Sequence, residues 1–176
     1  AEFCGNPVMD LIDKERPEVD VWKGMEGARE LLLPGSRPRT YDDVKLILDA
    51  AKELSRRTEC CFVMVPAPMI DVGKLVDNLE GWMSTDENSM LVPEGTRVRI
   101  YIGEVADAAV KADLLIGLGG TANQLCAGLG VPVVSILEKG KLIQKKLLKE
   151  AEVLVKQVPL ELAAAAEKRI TDPDLR

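Results

Sequence analysis

Two short stretches pair glycine with side chains that bind anions: Pro34-Gly-Ser-Arg-Pro38 and Gly117-Leu-Gly-Gly-Thr-Ala122. Each follows an apolar run and opens onto a helical pattern. In the first, Gly35 permits close backbone approach, Ser36 offers a hydroxyl, and Arg37 can give paired hydrogen bonds to phosphate oxygens. In the second, backbone N–H groups at the helix start after Gly119 and Gly120, with the Thr121 hydroxyl, would make an anion site. Both also have a plainer reading as solvated or tightly packed strand–helix turns. Lys139, in Glu138-Lys-Gly-Lys141 after the next apolar run, could add charge to the same place or simply face water. Gly117-x-Gly119-x-x-Ala122 fits a dinucleotide fingerprint too, with Glu138 about where a ribose-binding acid belongs. That fingerprint ordinarily opens the first β–α–β unit, whereas several units precede this one, and its helix would be only about nine residues long.

Other chemistry is scarce. The 176 residues contain no histidine, which removes Ser–His and Cys–His nucleophile pairs and the commonest zinc ligand. The four cysteines (Cys4, Cys60, Cys61, Cys126) lack metal-binding spacing and read as reduced thiols of a cytoplasmic protein. With net charge −6 and no basic run, the chain has little electrostatic pull on nucleic acid or anionic lipid. No 18-residue apolar run and no basic leader stand in the sequence.

The turns need elements to hold them, and these are legible as alternating apolar runs. Glu30–Pro34, Cys60–Val65, Met90–Val92, Arg97–Ile102, Asp113–Gly117, Val131–Leu137 and Val153–Val155 read as strands. Helical spacing covers Tyr41–Arg57, with Thr40 and Asp43 as a capping box, and also Ile70–Trp82, Glu104–Lys111, Lys141–Lys149 and Leu160–Ile170. Solid apolar runs, unlike alternating ones, mark strands covered on both faces. The predicted architecture is an α/β Rossmann-like three-layer sandwich with a mostly parallel sheet. With 47% hydrophobic but only 3% aromatic residues, its core must be aliphatic. Residues 1–29 stand ahead of the domain at 30–176, with 13–29 polar and irregular as a linker would be, and the whole reads as a piece of a longer protein.

The ordered set of motifs resembles the C-terminal half of a GT-B glycosyltransferase, and most nearly the lipid-A-disaccharide synthase family. Gly5-Asn-Pro-Val-Met-Asp10 is similar to the family's segment between domains. Leu32-Leu-Pro-Gly-Ser-Arg37 is similar to its first β–α turn, and Ala112–Asn123 with Ala127–Val134 to its second. The closing Thr171-Asp-Pro-Asp-Leu-Arg176 is similar to the family's entry into a last helix.

The resemblance implies two Rossmann-like domains about a cleft, this one binding a UDP-sugar donor. Gly35, Ser36 and Arg37 would lie in the donor pocket, and Gly119, Gly120 and Thr121 at the pyrophosphate. Related transferases place a carboxylate in the helix after the second turn, over the ribose; here Gln124-Leu125 stands there, leaving Gln124 to bond a hydroxyl. The reaction implied is hexosyl transfer, with no cofactor and no metal. The general base would belong to the missing N-terminal domain, so no catalytic residue is expected here and the fragment alone should be inactive. Membrane association would come only through that missing half. A UDP-N-acetylglucosamine 2-epimerase-like domain and a non-catalytic nucleotide-sensing domain are the alternatives, with an NAD-binding domain behind them.

Overall fold

The computed structural model describes residues 19–38, 40–77, 79–86, 89–91, 95–118, 120–136, 152–155 and 159–172. Eight strands form one sheet: β1 (Ala28–Leu33), β2 (Cys60–Met64), β3 (Met83–Asp86), β4 (Ser89–Leu91), β5 (Arg97–Ile100), β6 (Leu114–Gly117), β7 (Val133–Ile136) and β8 (Glu152–Val155). Their order across the sheet is β3-β4-β5-β2-β1-β6-β7-β8. The run from β5 to β8 is parallel throughout, while β3 and β4 form an antiparallel pair at one edge. The mostly parallel sandwich predicted from the apolar runs is the fold observed.

Five helices cover the sheet among the described residues: α1 (Thr40–Ser55), α2 (Val72–Asp77), α3 (Val105–Ala109), α4 (Thr121–Gly128) and α5 (Pro159–Thr171). The 3–4 spacing of α1 does what it predicts: Val44, Ile47, Leu48, Ala51 and Leu54 are fully buried. One core layer joins these to Leu32, Phe62, Met64, Leu114, Ile116 and the α5 residues Ala163 and Ala166. The opposite layer sets Leu31, Leu33, Val63 and Leu115 against Ala108 of α3 and Cys126 of α4. Successive strand residues thus feed opposite layers, and the central strands are buried on both faces. Trp82 lies in the first layer and Trp22 in the second.

Three features differ from what sequence periodicity predicts. Helix is expected from Ile70 to Trp82, but only Val72–Asp77 is helical. The Asp71 carboxylate accepts the Lys74 N–H at 3.2 Å to start it, and Gly81 at φ +80° turns the chain so that Trp82 packs inward. The strand β3 has no signature of its own in the sequence; its short Met-Ser-Thr-Asp run carries almost no apolar signal, and pairing with β4 makes it a strand.

The third concerns residues 13–29, whose polarity reads as linker. In the structure β1 already begins at Ala28, and Val21 and Trp22 are buried. The Trp22 indole donates to the Ala108 carbonyl at 2.9 Å, Arg99 holds the Val21 and Lys23 carbonyls, and Lys111 reaches Asp20 at 2.8 Å. The packed unit therefore starts upstream of residue 30. The Gly5–Asp10 motif, the 141–149 helix and the 171–176 turn beyond Asp172 lie outside the described residues.

Trp22→Phe keeps most of the ring packing but leaves the buried Ala108 carbonyl without its donor. Urea unfolding should show a loss of about 1–3 kcal/mol with an unchanged denaturant slope.

Candidate functional site

The register of β1 against β6 decides where the two glycine turns fall. Leu33 pairs with Gly117 at the carboxyl ends of the strands, and the Leu118 N–H donates to the Leu33 carbonyl at 3.2 Å. At the amino ends Arg29 is tied to Asp113, its backbone N–H and its guanidinium both reaching one carboxylate oxygen at 2.9 and 3.3 Å. From this pair the chain runs outward to β2 and β5 on one side and to β7 and β8 on the other. This is the switch point of a doubly wound sheet, where crossovers part to opposite faces and leave a crevice at the carboxyl ends.

A hollow of about 350 Å³ occupies that crevice. Gly35, Ser36 and Arg37 line it from the β1 turn, and Gly120 and Thr121 from the β6 turn. Both helices that follow these turns point their N-termini at it: Thr40 and Asp43 of α1 and Ala122 and Asn123 of α4 share the lining. Leu33, Val65, Ala67, Val105 and Leu118 give it apolar walls. The size is at the lower end for small-molecule sites, and an apolar wall with a few convergent polar groups is their usual make-up.

The turns owe their shape to glycine. Gly35 has φ +93° and Gly120 φ +110°, conformations that a side chain would strain. Gly120 is the N-cap of α4, with no side-chain cap bond, and the first turn from Gly120 to Asn123 lines the hollow, where the positive end of the helix dipole lies. Gly117 serves packing instead: a Cβ there would run into the carboxamide oxygen of Asn123. Asn123 is only 3% exposed; its Nδ2 donates to Ser135 Oγ at 3.4 Å, and that hydroxyl donates to the Gly117 carbonyl at 3.0 Å. A small buried network thus joins the end of β6, the first turn of α4 and β7.

Of the residues singled out in the sequence, Gly35, Ser36, Arg37, Gly120 and Thr121 come together on this hollow. Gln124 is on α4 but does not line it. Gly119 and Lys139 lie outside the described residues. Asn123 and Asp43 were missed as lining residues. Both lie in the first turns of their helices, and the convergence of the α1 and α4 N-termini on one crevice places them here.

No cysteine lines the hollow among the described residues. Burial pushes the Cys60 and Cys126 thiols up to about 12 and Cys61 up to about 11, with the Glu30 carboxylate adding to the rise at Cys60 and Cys61. These thiols are un-ionised at neutral pH. Among the described residues no three His, Cys, Asp or Glu side chains group as metal ligands, and no helix is long and apolar enough to cross a membrane.

Gly117→Ala should cost about 1–3 kcal/mol in urea unfolding, because the new methyl meets a buried carboxamide. Adding Asn123→Ala should recover part of that loss, so the double variant falls short of the sum of the singles.

Known proteins place this architecture. No protein-family model matches the chain. It is 31% identical over 140 residues to lipid-A-disaccharide synthase of Syntrophus aciditrophicus (strain SB), a match covering 76% of this chain and 34% of that protein. The chain thus spans about a third of the length of this curated relative. Among solved structures, the S. aureus MnaA–UDP co-structure superposes with TM-score 0.70 at 12% identity, over 97% of this chain and 46% of that one. A putative UDP-N-acetylglucosamine 2-epimerase from Listeria monocytogenes gives 0.63 at 14% identity, over 96% and 43%. The glycotransferase of kitacinnamycin gives 0.60 at 15% identity, over 93% and 40%. At such identities the likeness is one of fold. The chain is a GT-B-like half-domain, similar in sequence to lipid-A-disaccharide synthase.

Proposed function

We propose that this domain binds the UDP-sugar donor of a glycosyltransferase resembling lipid-A-disaccharide synthase. One observation carries the reading: two glycine turns, an arginine and two helix N-termini converge on one hollow at the switch point. The convergence suits a diphosphate. Amide dipoles from α1 and α4 meet its charge, the Arg37 guanidinium can take two of its oxygens, and the Ser36 and Thr121 hydroxyls complete its hydrogen bonds. The apolar wall of Val65, Ala67 and Val105 suits the flat face of a base.

In transfer, the diphosphate departs from the sugar carbon and gains negative charge as it leaves. Groups already aimed at that charge lower the barrier without reorganising, and this is the chemical contribution assigned to Arg37, Gly120 and Thr121. The acceptor's base is assigned to another domain of the longer protein, so the chain alone should bind without turnover. The likeness to MnaA and the Listeria 2-epimerase supports a second reading, in which the same pocket serves epimerisation of a UDP-sugar. Given UDP-N-acetylglucosamine without an acceptor, the full-length protein would form a C2 epimer under that reading, and under the transferase reading would leave the sugar unchanged.

Calorimetric titration tests the site directly. UDP and UDP-N-acetylglucosamine should bind, and Arg37→Ala should weaken UDP by roughly 10- to 100-fold, the worth of a charged hydrogen-bonding group. Binding of NAD with no response to UDP would instead favour the dinucleotide reading.

A further inference from the structure

The hollow carries one group that a plain phosphate site would avoid. Asp43, on the first turn of α1, lines it together with Arg37, Gly35 and Gly120, and is the one carboxylate among the described lining residues. A carboxylate beside a bound diphosphate repels it, and in a partly desolvated crevice that repulsion is stronger than in water. A site for inorganic phosphate or pyrophosphate gains nothing from such a neighbour. A ligand that carries hydroxyl groups next to its phosphates does gain, because an ionised carboxylate only accepts hydrogen bonds, and hydroxyls supply the protons.

We infer that Asp43 is the residue that selects hydroxyl-bearing diphosphates, its carboxylate accepting hydrogen bonds from a diol of the ligand. The inference rests on the donor-site reading above and adds to it the ligand feature being recognised. It also supplies a hydroxyl acceptor from α1, on the opposite side of the hollow from α4, whose Gln124 stays outside the lining. The diol belongs either to the ribose or to the transferred sugar, and the same carboxylate chemistry serves both.

Asp43 also sits where a carboxylate favours the N-terminus of α1, so a structural role must be told apart from recognition. The measurement is calorimetric titration of the 176-residue chain and its Asp43→Asn variant with UDP, UDP-N-acetylglucosamine, 2′,3′-dideoxyuridine diphosphate and inorganic pyrophosphate. Thermal melting of both chains without ligand is recorded alongside. Selection by Asp43 predicts opposite signs: a tenfold or greater loss for hydroxyl-bearing ligands, and unchanged or several-fold tighter pyrophosphate. Asp43→Glu, which keeps the charge, should recover part of the UDP-sugar affinity.

If UDP weakens in the Asn variant but the dideoxy compound does not, the diol is that of the ribose. If only UDP-N-acetylglucosamine weakens, it is that of the sugar. A variant that loses pyrophosphate as much as the others, or loses none of them, overturns the role of Asp43 while leaving the donor site standing. A parent chain that binds pyrophosphate and none of the three uridine ligands overturns both.

Discussion

The pairing of β1 with β6 is the constraint on which the site depends. These strands are far apart in sequence, yet an Arg29–Asp113 tie at one end and the Leu118–Leu33 backbone hydrogen bond at the other fix their register. Slipping that register by one residue would flip every side chain to the other layer and bring Leu31 and Leu33 out of their core. A slip would therefore mismatch the packing of both layers, and the glycine turns inherit their positions from the register that avoids it. Neither turn makes a pocket by itself. Each is an ordinary strand-to-helix connection until the sheet sets it beside the other.

What the sequence disclosed follows from which forces are local. Helix α1 was legible because its buried stripe is written at regular spacing, and the central strands because burial on both faces demands solid apolar runs. The glycine turns were legible because positive φ leaves a chemical mark. The β3–β4 pair is half hidden, since the residues of β3 are mixed and only their pairing with β4 makes them a strand. Trp22 was hidden in a polar stretch because its packing partner, Ala108, stands 86 residues away.

The site shows the same division. Gly35, Ser36, Arg37, Gly120 and Thr121 could be picked out from local chemistry, and the fold gathers them at one crevice. Gln124 stands out by its place after the turn, but it does not line the hollow, whereas its neighbour Asn123 does and is buried. Gly117 and Asn123 form a pair in which a missing side chain on one admits a buried carboxamide on the other. One-dimensional reading sees a glycine and an asparagine six positions apart, with nothing to link them.

The aromatic poverty of the chain has an experimental consequence. Its two tryptophans are both buried, one beneath α1 and α2 and the other on the face held by α3 and α4. Replacing either leaves a single tryptophan which, excited selectively over Tyr41 and Tyr101, reports on one side of the sheet. The two halves of the sandwich can thus be watched separately by emission as the protein melts, with no dye attached.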